Sequence, residues 1–218
     1  MLELLLPERC AVCERPGSAL CDSCRGSFVR LREPLCERCG SPGPWPVRRC
    51  AECAGRRLAF TRARAAVIYD DCARRLVRRW KEHGRRGLAR EAAAIVAEVV
   101  ELPSVEALTF VPGDPERAWK RGDVPPRGLA GELGRLWQIP NLDLLRRTRA
   151  LERQRGQSLA DRRRNVRGSV VARGPSPRAV CLLDDVYTSG ATVAACAAAL
   201  RKAGASRVQV VTFARAVR

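Results

Sequence analysis

The sequence predicts an α/β fold, a doubly wound parallel sheet with helices on both faces, preceded by a small cysteine-rich domain. Three observations carry this prediction. Eight of the eleven cysteines crowd into the first quarter of the chain as four Cys-x2-Cys pairs. Beyond them, strand-like apolar runs alternate with helical patterns, the signature of βαβ units. Finally, CLLDDVYTSGAT, residues 181–192, passes from an apolar strand through two carboxylates and a glycine turn into an alanine-rich helix. The composition changes near residue 58, dividing a cysteine-rich module (1–58) from an α/β domain (59–218).

The cysteine pairs are Cys10/Cys13, Cys21/Cys24, Cys36/Cys39 and Cys50/Cys53. A two-residue gap lets both thiolates of a knuckle reach one tetrahedral Zn2+ at about 2.3 Å, and two knuckles complete a closed structural site. Four knuckles therefore predict two zinc ions, with neighbouring and interleaved pairing both left open. Disulfides or reduced buried thiols are the alternative. Gly17, Gly26, Gly40 and Gly43, with Pro42, Pro44 and Pro46, leave the segment little apolar periodicity, so metal must supply its stability.

After a basic joint, GRRLAFTRAR, the run ARAAVIYD reads as a strand and CARRLVRRWKEHG as an amphipathic helix ending at Gly84. Residues 86–102 form a strong helix with apolar positions at Leu88, Ala92, Ile95, Val96 and Val99. ALTFVP is a short strand stopped by Pro112, GDPERAWKRGDVPP a loop, LAGELGRLW a helix and NLDLLRRT a strand. Residues 148–168 are polar and basic without an apolar face, which predicts a long mobile loop. RAVCLLDD is a strand, GATVAACAAALRKAG a helix closed by Gly204, and RVQVVTFARAV the last strand.

Net charge is +18 and 38 of the 41 basic residues are arginine, Lys81, Lys120 and Lys202 being the exceptions. Such an excess calls for a polyanionic partner, nucleic acid or a phosphorylated small molecule. No run of about 18 apolar residues exists, so no membrane insertion is expected. MLELLLPERC lacks the basic start and the length of a secretory signal, and a cytoplasmic location follows as the expectation. In a reducing compartment, crowded thiols read as metal ligands. Cys72, Cys181 and Cys196 read as small packed apolar residues. Trp45 and Trp119 sit among arginines, where packing is the first expectation and base stacking the alternative.

Two adjacent aspartates, Asp184 and Asp185, end the CLLDD strand. Unpaired carboxylates are costly to bury, so they are expected at a carboxyl end, facing solvent or a polar ligand. In an open α/β sheet that edge is where ligands bind. The turn Val186-Tyr187-Thr188-Ser189-Gly190-Ala191-Thr192 offers backbone N–H groups and hydroxyls at a helix start, a phosphate cradle. Carboxylates beside it suit vicinal hydroxyls, and a ribose 5-phosphate has both features. There is no Walker loop.

This stretch resembles the PRPP-binding signature of type I phosphoribosyltransferases. The chain as a whole resembles one branch of that superfamily, the ComF (ComFC-like, GntX-like) competence proteins, with an amino-terminal double zinc ribbon-like module. The resemblance runs through Trp80-Lys81-Glu82-His83-Gly84-Arg85, through Val111-Pro112 followed by Arg117, Trp119, Lys120, Arg121 and Gly122, and through Arg147, Arg149, Gln154, Gly156, Arg162, Arg163, Asn165 and Val166. It departs where Asp123-Val124-Pro125 replaces the family's Phe-Asn-Gln or Phe-Asn-Pro.

The resemblance implies a type I phosphoribosyltransferase-like fold that binds PRPP or a related ribose 5-phosphate with Mg2+. It implies Asp184 and Asp185 as catalytic acids and residues 184–192 as the ligand site. Val111, Pro112, Lys120, Arg121, Gly122, Arg147 and Arg149 would serve pyrophosphate, with the 148–168 loop as a lid. It further implies support of DNA uptake and transformation, with single-stranded DNA and a competence helicase or other DNA-processing proteins as partners. Arg162, Arg163 and Arg164 are candidate nucleic-acid contacts. The alternative is a non-catalytic, zinc-stabilised single-stranded-DNA handling protein whose PRPP pocket is sensory or vestigial.

Overall fold

The computed structural model describes residues 8–82, 85, 87–113, 124–148 and 169–217. Lys120, Arg121, Gly122, Arg149, Arg162, Arg163 and Arg164 lie outside the described residues, as do His83, Trp119 and the presumed lid.

Four parallel strands make the sheet, in the order β1 (Arg62–Ile68), β6 (Arg207–Arg215), β5 (Ala179–Tyr187), β2 (Ala107–Phe110). The period-2 alternation of β5 explains why both faces are covered. Cys181 and Leu183 pack with Leu88, Ile95, Leu129 and Leu133, from α3 (Gly87–Val99) and α4 (Pro125–Trp137). Val180 and Leu182 pack on the other face against Val193, Cys196 and Leu200 of α5 (Ala191–Lys202). The expected doubly wound parallel sheet is therefore present.

Local chemistry sets the helix boundaries. Asp70 accepts the Ala73 N–H at 2.9 Å and so caps α2 (Asp71–Glu82). Pro125 and Pro126 open α4, where no intrahelical N–H is needed. That helix begins four residues before the expected LAGELGRLW.

Two elements escaped the sequence pattern. The six-residue α1 (Asp22–Ser27) lies within the cysteine-rich module. Leu145–Arg147 (β3) pairs antiparallel with Val170–Ala172 (β4) in a two-stranded sheet of its own. The strand expected at NLDLLRRT thus shrinks to three residues outside the main sheet.

The cysteine-rich module straddles the sheet. Cys10, Ala11, Val12, Leu20, Cys24 and Phe28 join the α3/α4 core, whereas Cys36, Cys39 and Cys53 join the α5 core. Between them, the module covers the outer edge of β1. Leu31 N–H donates to the Ala66 carbonyl at 2.8 Å, Ile68 N–H to Val29 at 2.8 Å, and Ala63 N–H to Arg38 at 2.9 Å.

Candidate ligand turn and metal centres

The cysteines gather as neighbouring knuckles, Cys10, Cys13, Cys21 and Cys24 in one cluster and Cys36, Cys39, Cys50 and Cys53 in the other. Within each cluster all four sulfurs lie within 4.8 Å of one another. Cys13 and Cys21 Sγ are 3.7 Å apart, Cys36 and Cys53 3.7 Å, and Cys39 and Cys50 3.4 Å. A tetrahedron of metal–sulfur bonds of about 2.3 Å has edges of about 3.8 Å, so both clusters fit Zn2+. Burial alone would raise the Cys10 and Cys36 thiols, but backbone N–H donors outweigh it and bring them down to about 6 and about 7. One thiolate in each cluster is thus prepared for metal at neutral pH.

Strand β5 runs two residues past the acids, because Val186 and Tyr187 continue the ladder with Ala214 and Arg215 of β6. Of the two settings expected for the carboxylates, solvent or a polar ligand, burial removes the first: Asp184 is 9% and Asp185 5% exposed. The pleat turns them to opposite faces. Asp184 Oδ1 accepts the Asp185 N–H at 3.0 Å and Asp185 Oδ1 the Val186 N–H at 2.8 Å. Asp185 Oδ2 faces the ammonium of Lys81, at the end of α2, without a hydrogen bond of ordinary geometry. Burial, reinforced by the Asp185 charge, pushes the Asp184 carboxyl well above the usual carboxylate range.

Gly190 follows at φ 70°, and a Cβ there would collide with the Tyr187 hydroxyl. Only glycine meets both demands. Gly190 at the N-cap has no side chain to cap α5, and Ser189 Oγ reaches the first turn by accepting the Ala191 N–H at 3.4 Å; the positive dipole end of the helix faces this turn. Thr188 is exposed, while Val186, Ser189, Ala191 and Thr192 are half-buried. Beside the turn, Val111 N–H donates to the Leu183 carbonyl at 2.9 Å, and Arg147 Nε holds the Pro112 carbonyl at 2.9 Å. These contacts bring the Val-Pro segment and Arg147 to the same end of the sheet as the turn.

Three residues at this end carry no local sequence signal as site residues. Lys81 meets Asp185, Arg56 Nη2 donates to the Ser189 carbonyl at 2.6 Å, and the Arg215 guanidinium lies 4.5 Å from the Tyr187 ring centroid. Lys81 stood in a recognisable segment without an assigned role; Arg56 had only its place in the basic joint, and Arg215 only its place in the last strand.

The architecture is that of a parallel-sheet α/β protein with a glycine ligand turn and two four-cysteine centres. The Double zinc ribbon domain family matches residues 1–54. The chain is 29% identical to Competence protein F of Haemophilus influenzae over 91% of both chains. It is also 29% identical to DNA utilization protein YhgH of Salmonella typhi, over 95% of this chain and 96% of that one. The resemblance to ComF-type competence proteins therefore spans nearly the whole chain. Among solved structures, glutamine PRPP amidotransferase from B. subtilis aligns at 23% identity and a TM-score of 0.40, over 57% of this chain and 26% of that chain. Among the described residues no helix is long and apolar enough to cross a membrane.

Proposed function

We propose that the turn from Val186 to Thr192 binds PRPP, with Asp184 and Asp185 on the ribose hydroxyls, in a protein that supports DNA uptake. The supporting observation is the buried acid pair, held by neighbouring backbone N–H groups and the Lys81 ammonium, beside a glycine turn that opens a helix. Ribose hydroxyls would compete with Lys81 for Asp185 Oδ2. Backbone N–H groups at the start of α5 would hold the 5-phosphate.

The carboxylate oxygens are the hard donors that Mg2+ takes, and the ion would help neutralise pyrophosphate. Arg147, fixed on the Val-Pro segment, would orient that leaving group, and transfer to an acceptor would rest on positioning and electrostatics. Incubation with PRPP and Mg2+, with pyrophosphate release measured with and without single-stranded DNA, tests the enzymatic reading. Absence of release in both arms, with PRPP bound, would make the pocket a sensor.

A second reading, nucleic-acid handling, draws on a different surface. A cleft of about 980 Å³ is lined by Arg38, Arg48, Arg49, Arg62 and Arg64, with Glu37 and Thr61. The Nε atoms of Arg38, Arg62 and Arg64 are buried without hydrogen-bond partners. Trp45, expected to pack, is 66% exposed on the loop leading to Arg48, because the small core of the module has no place for it. Arginines with an exposed indole suit a single-stranded backbone with stacking bases. Fluorescence anisotropy with labelled oligonucleotides at low salt tests this reading.

A further inference from the structure

Arg215, the last residue of β6, is 1% exposed. Burying a guanidinium is costly unless its donors are paired, and the pairing here comes from the second cysteine cluster. Nη1 donates to the Cys39 carbonyl at 2.7 Å, and Nη2 to the Glu52 carboxylate at 2.6 Å. Nη2 also lies 3.8 Å from Cys39 Sγ. Glu52 sits between the ligands Cys50 and Cys53, and its other oxygen accepts from Ser41 at 3.2 Å. The opposite side of this guanidinium carries the Tyr187 ring, whose hydroxyl fills the space against Gly190. A second tie leaves the same ribbon three residues after Cys53, where Arg56 holds the Ser189 carbonyl. Thus Tyr187 and Ser189, two of the four residues from Tyr187 to Gly190, rest on the second ribbon, and Gly190 is backed by Tyr187. The first cluster leans instead on α2, through Arg75 to the Val12 carbonyl at 3.4 Å and the Arg79–Glu14 pair.

We propose that Arg215, Glu52 and Arg56 are positioning residues through which the second four-cysteine centre sets the ligand turn, making ligand affinity depend on metal in that centre. The affinity part rests on the PRPP reading above; the positional part does not. Metal fixes the Cys39 and Cys50–Cys53 backbone, this backbone fixes Glu52 and Arg56, and these hold Arg215 and the turn. A turn already fixed in its binding geometry loses less conformational entropy when ligand arrives.

The test uses full-length zinc-loaded protein and the variants Arg56→Ala, Arg56→Lys and Glu52→Gln, with hydrogen–deuterium exchange of residues 186–194 and calorimetric titration with PRPP. Arg56 is half-buried, so its replacement spares the core. Arg56→Ala and Glu52→Gln should speed exchange in 186–194 while zinc content and exchange in α3 stay at parental values. PRPP affinity should fall, by up to about tenfold if the ordering that one charged hydrogen bond supplies must instead come from the ligand. Arg56→Lys, which keeps a donor for Ser189, should restore much of both. Parental exchange in 186–194 in both zinc-loaded variants overturns the proposal. Faster exchange with no PRPP binding by the parent protein leaves the coupling standing and sinks the PRPP reading alone.

Discussion

Of the two cysteine clusters, the first packs with α2 and α3 on one face of the sheet, and the second packs on the other face beside the carboxyl ends of β5 and β6. Their sequence grammar is nearly the same: Cys-x2-Cys twice, with seven residues between the pairs in the first and ten in the second. Their surroundings differ. Cys13 is exposed and Cys21 half-buried, whereas Cys36, Cys39 and Cys53 are all buried. Spacing sets what each cluster can hold, while position in the fold decides which neighbours its backbone touches.

The largest effect should come from breaking the second centre. The parent is expected to carry two zinc ions per chain by elemental analysis, and Cys53→Ser should cost roughly 3–5 kcal/mol in urea denaturation, because Arg215 then stays buried beside a disordered partner. Cys13→Ser, at the exposed corner of the first centre, should cost less than half of that. Equal losses would erase the distinction between the centres.

Next in size is the turn that the second centre backs. Gly190→Val should lower PRPP affinity at least about tenfold with the circular dichroism spectrum retained, since the side chain must displace Tyr187. Unchanged affinity would remove the turn from the ligand site.

Asp184 provides a smaller effect with a defined sign. A carboxyl whose folded-state value lies above its unfolded one binds its proton more tightly when folded, so its stabilisation is full below the unfolded value and is lost as pH rises to the folded value. Asp184→Asn should therefore stabilise the ligand-free protein most at the alkaline end of a pH series, an advantage that shrinks as pH falls towards the unfolded carboxylate value of about 3.9. A constant difference across that range would contradict a buried, ionising Asp184.

The smallest effect separates the ribbons as DNA surfaces. Replacing Arg48 and Arg49 by alanine should flatten the log–log salt dependence of single-stranded DNA binding by about 1.4, at roughly 0.7 per phosphate contact. The pair Arg9 and Arg15, on the first ribbon, should leave that slope unchanged. Equal slopes in all three proteins would place the contact elsewhere.

Features written within a few residues were legible in the sequence. The cysteine knuckles, the acids before the glycine turn, and the helices with a clear apolar period all come from local chemistry. What escaped was non-local. Arg56 and Ser189 are 133 residues apart, and Arg215 and Cys39 are 176 apart. No spacing rule connects them. That the acids are buried was not legible, because the compensating Lys81 comes from another element. Strand β4, the partner of β3, was missed because three residues carry too little alternation to stand out.

The backbone bonds between the module and the outer edge of β1 give the cysteines a role in solubility. An open edge of a parallel sheet is a row of unpaired donors and acceptors that recruits strands from other molecules. Residues 29–31 and Arg38 occupy that row, and the clusters on either side keep them there. A chelated chain would bare the row before its helices had melted, so metal depletion should appear first as turbidity, and only later as lost secondary structure.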